Sequence, residues 1–250
     1  MTETGEGKDM SENDGIAKVI EGYRHFSEEV YPEHRELFEQ LRNNQNPQVL
    51  FITCADSRID PSLITHTDPG DLFICRNIGN IVPAYGEMLG GVSAVVEYAV
   101  MGLKVTDIIV CGHSDCGAMK ALRDPDSPSL AAMPTVKSWL RNADAALGVV
   151  RVKYPNISGD DMTRALVEEN VLLQLQHLRT HPGVAAGLAS RTVRLHGWKY
   201  NIGNGRVLAF DEETQQFAPV EQVLKIESGR GQVSEHPGRA AEARPSTRVG

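Results

Sequence analysis

The sequence predicts an α/β fold: a mainly parallel central β-sheet flanked by helices, with an N-terminal helical arm and an antiparallel edge hairpin. Three observations predict it. Short, continuously apolar runs alternate with stretches of helical period, the pattern of strands buried on both faces and joined by crossover helices. A helical period begins at Ile16, well ahead of the first such run. Near the end, Gly203-Asn204-Gly205 separates two β-rich segments, which is a hairpin signal.

Taken in order, Ile16, Val19, Ile20, Tyr23, Phe26 and Tyr31, then Leu37, Phe38 and Leu41, recur at helical spacing across 16–43. Pro32 is expected to split or kink that arm, because it lacks an N–H and its ring crowds the preceding turn. Residues 48–53 (QVLFIT), bounded by Pro47 and Asp56-Ser57, read as a buried strand, and 72–75 as a second. Residues 91–103, rich in small residues and Val, read as a helix opening at a glycine pair. Residues 107–111 (DIIVC) read as a third strand, and 135–154 and 162–180 as helices. Residues 192–202 and 206–210 flank the glycine turn. Ligands of such sheets lie beyond the carboxyl ends of the strands, where Cys54 and His113 fall.

Charge is uneven along the 250 residues. Of the net −8, the first 15 residues hold −4, and 226–250 hold +1. Both ends (1–15 and 227–250) have the polar, Gly-rich composition of disordered segments, an acidic leader and a loose tail around one domain at 16–226. The mildly acidic body argues against nucleic acid as a partner. The lack of an apolar run near 18 residues argues against a membrane span. No apolar signal-like stretch opens the chain, so a cytoplasmic, reducing setting is expected. In such a setting four sparse cysteines (Cys54, Cys75, Cys111, Cys116) are core fillers, catalytic groups or metal ligands rather than disulfides.

Two segments carry chemistry, Cys54-Ala55-Asp56-Ser57-Arg58 and Cys111-Gly112-His113-Ser114-Asp115-Cys116-Gly117. His113 and Cys116 have His-x-x-Cys spacing, which lets both side chains meet one ion where a turn enters a helix. Cys54, at a neighbouring strand end, would be the third ligand. Two thiolates and one imidazole suit Zn²⁺ and leave a coordination position open, as catalytic zinc sites do. In an extended segment, 54, 56 and 58 share one side, which would set Asp56 and Arg58 beside the metal as a bidentate pair.

CADSRIDP at 54–61 and CGHSDCG at 111–117 closely resemble the β-class carbonic anhydrases, and so do FICRNIGNIVP at 73–83, Gly90-Gly91 and VEYAV at 96–100. The resemblance covers about 16–220. It implies zinc held by Cys54, His113 and Cys116, a catalytic dyad of Asp56 and Arg58, and reversible hydration of carbon dioxide to bicarbonate. The plant-like, open-site subgroup is resembled through Gln45, Phe73 and Tyr98, which would shape the substrate pocket from a partner subunit, so a homodimer or higher homo-oligomer is implied. Gly117 would allow close backbone approach there. By periodicity alone Phe73 and Tyr98 read as core, and Gln45 as a solvated turn residue. Cys75 and Cys111 match no ligand position and read as core thiols. His66, His177, His181 and His196 are proton-route candidates by residue type only.

Three other readings stand beside this one. The same zinc chemistry would serve a hydrolase of a carbon dioxide analogue such as carbonyl sulfide or carbon disulfide. A zinc-stabilised scaffold is the second, since tails on family members can recruit them to assemblies such as carboxysomes; the tail's composition fits a solubilising end better. A thiol redox role is weakest, because there is no Cys-x-x-Cys.

Overall fold

The computed structural model of the chain describes residues 15–86 and 90–224. The expected leader and tail lie outside the described residues, apart from Gly15. Six strands form one sheet: β1 (Val49–Cys54), β2 (Leu72–Asn77), β3 (Asp107–His113), β4 (Arg194–Tyr200), β5 (Val207–Asp211) and β6 (Gln216–Pro219). Their order is β2-β1-β3-β4-β5-β6. The first four are parallel, and β5 and β6 add antiparallel at one edge. The mainly parallel sheet and edge hairpin are as the sequence predicts. β6 was not foreseen, because four residues with Gln and Pro at the ends carry too little alternation to register.

The apolar runs are explained by burial on both faces. On one face, Leu50, Ile52, Ile108 and Val110 pack against Val171, Leu175 and Leu178 of the long helix Gly159–Thr180. On the other, Phe51, Ile109 and Cys111 pack with Trp198, whose ring meets Phe51 edge-on at 6.0 Å. Cys75 and Cys111 are core thiols, and burial pushes Cys111 up to about 12, so it stays protonated and inert.

Three expected helices are interrupted. In the arm, the helix Gly15–His25 continues through a wide turn, Phe26–Val30, into Tyr31–Glu33. The wide turn gives the Pro32 ring room, so the break comes two residues later, at His34, before Arg35–Leu41. The 91–103 helix likewise runs Gly91–Glu97 and then widens over Tyr98–Leu103. The 135–154 helix is three pieces, Pro134–Leu140, Arg141–Ala143 and Asp144–Lys153. There Asn142 Nδ2 donates to the Trp139 carbonyl at 2.8 Å, competing with helix continuation.

Asp107 ties the amino end of β3 to β4. It accepts from Arg194 Nε at 2.8 Å and Nη2 at 2.7 Å, and from His196 Nε2 at 2.8 Å. Burial raises its carboxyl, but the donors Arg194, His196 and Thr106 outweigh burial and hold it at about 2. The stabilisation is therefore complete above the unfolded carboxylate value of about 3.9 and is lost as pH falls through about 2. Asp107→Asn is expected to cost about 1–2 kcal/mol at pH 7, allowing for solvent around Arg194, and to flatten the acid limb of stability. Urea unfolding between pH 2 and 7 measures both.

Candidate metal centre

The carboxyl ends of β1 and β3 place three ligand atoms together. Cys54 closes β1, His113 closes β3, and Cys116 caps the helix Gly117–Arg123. Their ligand atoms lie within 4.8 Å of one another, and all three residues are buried. Parallel pairing of β1 with β3 sets the two strand ends side by side. The two-residue turn at Ser114-Asp115 then folds Cys116 back; Asp115 takes φ +60°, and Ser114 is pinned to β4 by its N–H on the Tyr200 carbonyl at 2.9 Å.

The donors suit a soft dication. His113 Nδ1 lies 2.9 Å from the Ser114 carbonyl, so Nδ1 carries the proton and Nε2 presents its lone pair. That Nε2 is buried without a hydrogen-bond partner, an expense that a metal would remove. The Cys54 thiol is held well below its ordinary value, chiefly because the Cys116 thiol donates to it. Burial opposes this, while the Gly79 amide pulls the same way. Cys116 is correspondingly raised, since it keeps the shared proton. A dication would replace that proton and take both thiolates.

The loop after β2 supports Cys54. The Gly79 N–H donates to Cys54 Sγ at 3.4 Å from a backbone at φ +79°. A Cβ at Gly79 would meet Ala118 Cβ at 3.0 Å. Behind it, Asn170 Nδ2 donates to the Gly79 carbonyl at 3.0 Å, Gln174 Nε2 donates to Asn170 Oδ1 at 2.8 Å, and Gln174 Oε1 accepts from the Val82 N–H at 2.9 Å. Both side chains are fully buried, so the long helix positions this loop through a satisfied polar chain.

Asp56 and Arg58 meet beside the cluster by a different route from the expected extended alternation. The chain turns, with the Ile59 N–H on the Asp56 carbonyl at 3.1 Å and the Arg58 N–H on Asp56 Oδ1 at 3.0 Å. Arg58 Nε then reaches Asp56 Oδ1 at 2.9 Å and Nη2 reaches Oδ2 at 2.7 Å. Asp favours this local turn because its side chain accepts from the backbone two residues on. Arg58 holds the Asp56 carboxyl far below the ordinary carboxylate range. Asp56 Oδ2 lies 3.9 Å from His113 Nε2.

Some residues at this site escaped the sequence reading. Arg76, on β2, donates to the Asp56 carbonyl at 2.6 Å and the Cys54 carbonyl at 3.2 Å, clamping the segment between Cys54 and Asp56. Asp115 and Lys120 extend the Arg58 contacts. Only strand pairing brings Arg76 to this segment; its lone position in FICRN carries no such signal.

The residues expected to line a pocket lie away from the cluster in this chain. Phe73 pairs in register with Leu50, four residues before Cys54, or roughly 13 Å along the sheet at about 3.3 Å per residue. Its ring lies 5.9 Å from that of Tyr98. Tyr98 is 52% exposed, against the core position its periodicity suggests, because it shares the exposed helix face of Ala94, Glu97 and Met101, opposite the buried Ser93, Val96, Ala99 and Val100. Gln45 is exposed on the loop before β1. The expected close approach at Gly117 is not made by this chain, since a Cβ there would meet nothing within 4 Å. Among the proton-route candidates, His177 and His181 hold the Val82 and Pro83 carbonyls at 2.7 and 3.1 Å, and His196 holds Asp107. His66 ends a short helix in the left-handed region.

A mainly parallel sheet carrying a buried Cys-His-Cys cluster with a carboxylate–guanidinium pair at its rim has the donor set of thiolate-type zinc enzymes. The carbonic anhydrase family profile matches residues 49–207. Carbonic anhydrase 1 of Escherichia coli O157:H7 is 48% identical over 82% of this chain and 92% of its own. The solved structure of the β-carbonic anhydrase CcaA superposes with a TM-score of 0.80 at 44% identity, over 82% of this chain and all of that one. One of two tetrameric β-carbonic anhydrases from Sordaria macrospora superposes at 0.70 with 27% identity, over 78% of this chain and 95% of that one. The chain therefore belongs to the β-class carbonic anhydrases, and its reaction is zinc-dependent hydration of carbon dioxide.

Gly79→Ala is expected to cost about 1–3 kcal/mol through its positive φ and the contact with Ala118. It should also lower zinc occupancy by displacing the amide on Cys54. Thermal unfolding with metal analysis reads the two effects separately.

Proposed function

We propose that Cys54, His113 and Cys116 hold the zinc, that Asp56 and Arg58 are the catalytic dyad, and that the enzyme belongs to the plant-like, open-site subgroup. The domain that does this spans 16–226. The observation that carries the reading is the orphaned His113 Nε2, facing two thiols and lying 3.9 Å from a carboxylate that Arg58 holds aside.

Zinc, when bound there, lowers the pKa of a coordinated water from 15.7 to roughly 7 and so supplies hydroxide at neutral pH. This chain's residues do the rest. Asp56, kept ionised by Arg58, accepts a hydrogen bond from the nucleophile's O–H and turns the oxygen lone pair toward the carbon of carbon dioxide. Arg58 occupies both Asp56 oxygens, which keeps the carboxylate an acceptor rather than a ligand. The Gly79 amide and the Arg76 clamp fix the Cys54 end. Of the candidate histidines, His177, His181 and His196 each commit one ring nitrogen to a structural contact, with the Val82 carbonyl, the Pro83 carbonyl and Asp107.

Gln45, Phe73 and Tyr98 complete the pocket of a second subunit in this reading: Gln45 donates to a substrate oxygen, and the two rings form the apolar wall. Gly117 leaves room beside Cys116. Several features support a homo-oligomer. β2 is an edge strand with no partner on its outer side among the described residues. Ile74, Ile78, Tyr98 and Met101 are exposed, as are Ile16, Val19, Ile20 and Tyr23 on the arm. Exposed apolar surface of this extent marks an interface, and the Sordaria neighbour is described as tetrameric. No described helix is long and apolar enough to cross a membrane. Two thiolate ligands suit a reducing compartment, so we place the enzyme in the cytoplasm.

Cys54→Ser and His113→Ala should lose both zinc and activity, whereas Asp56→Ala should keep zinc and lose most hydration activity. Stopped-flow carbon dioxide hydration with zinc analysis tests this, and full activity without zinc overturns the assignment. Sulfide release from carbonyl sulfide, measured beside it, separates the hydrolase alternative.

A further inference from the structure

Arg58 is held from two sides. Asp56 takes Nε and Nη2 on one. On the other, Asp115 Oδ2 accepts from Nη1 at 2.9 Å, and the Asp115 carbonyl accepts from Nη2 at 3.2 Å. Asp115 is in turn paired with Lys120, one turn into the helix Gly117–Arg123. Asp115 is the middle of the His113–Cys116 turn, with its left-handed backbone set by that turn. It therefore joins the ligand loop after β3 to the dyad after β1, two segments that no backbone hydrogen bond between Arg58 and Asp115 links.

We propose that Asp115 is a positioning residue for hydration: through Arg58 it keeps Asp56 beside the metal position as a hydrogen-bond acceptor, and Lys120 steadies Asp115 in that task. The proposal rests on the zinc reading above. Arg58 and Asp115 side chains are 44% and 51% exposed, so neither is immobilised by packing, and their mutual contacts set the guanidinium's place. Asp56 is 16% exposed and rides on Arg58. With the Asp115 anchor gone, Arg58 can rotate toward solvent and carry Asp56 with it, or release Asp56 toward the cluster only 3.9 Å away. A charge-assisted, two-point hold of a planar guanidinium is the kind of contact that fixes geometry more than it adds stability. Its loss should therefore show in turnover and not in folding.

The test combines kinetics with a cobalt-substituted form. Asp115→Ala is expected to keep wild-type zinc content and thermal stability within error, and to lower kcat by about fivefold to thirtyfold. Asp115→Asn, which retains an oxygen acceptor for Nη1, should recover most of that loss. In an Arg58→Ala background, Asp115→Ala should change kcat by less than about twofold, because the path runs through Arg58. The visible spectrum of the Co²⁺ protein should change on Asp115→Ala and not when Asp56→Asn is also present. Equal losses in both backgrounds, or an unchanged kcat and cobalt spectrum in Asp115→Ala, would overturn the proposal. A wild-type protein that binds zinc but does not hydrate carbon dioxide would instead overturn the functional reading, and the cobalt spectra would still decide whether Asp115 places Asp56.

Discussion

Two thiols and an imidazole lie almost wholly out of water at one point, and most of the structure around them is arranged to make that tolerable. Buried polar groups must be paired or they cost stability. Here the pairing is partial: the Cys54 and Cys116 thiols lie within 4.8 Å of each other, and His113 Nε2 has no partner. The surroundings hold these donors in place without satisfying them. The Ser114 carbonyl sets the tautomer of His113, the Gly79 amide points at Cys54, and buried Asn170 and Gln174 keep that amide's loop in position. Such a preorganised shortage is what a metal site needs, because the ion's binding supplies the missing interactions.

The sheet accounts for the position of the cluster. Parallel pairing brings the carboxyl ends of β1 and β3 side by side, so two short motifs 57 residues apart in the Arg58–Asp115 contact can act as one. The Asp56–Arg58 pair adds a second tie between the two loops. Arg58 divides its donors between an acid that faces the cluster and an acid that belongs to the ligand turn, which ties the two loops electrostatically. The remaining apolar surface points outward: the open edge of β2 among the described residues, the exposed Tyr98 and the apolar residues of the arm.

The strands were legible because they are buried on both faces and therefore apolar throughout, from Leu50 and Phe51 to Ile108 and Ile109. β6 was not, because its four residues are too few to show a period. The helices were legible in place but not in continuity. Pro32 acts through a widened turn upstream, and Asn142 interrupts a helix by a local hydrogen bond, and neither outcome follows from spacing. Of the site, Cys54, His113 and Cys116 could be read as one constellation from two motifs. Asp56 and Arg58 could be paired from their spacing, although a local turn and not an extended alternation brings them together. Arg76, Asp115 and Lys120 carried no signal, since a charged residue near a motif is ordinarily a solvated one.

By itself the sequence determined the donor types, the order of strands and helices, and the His-x-x-Cys turn, because these depend on residues close together in the chain. Tertiary structure alone decided which groups meet. It set Arg76 across β1, split the Arg58 fork between Asp56 and Asp115, turned Tyr98 to the surface, and put Phe73 at the far end of the strand from Cys54. The physical reason is that hydrogen bonds and burial depend on distances of a few ångströms between segments far apart in sequence, and only register and packing determine those distances.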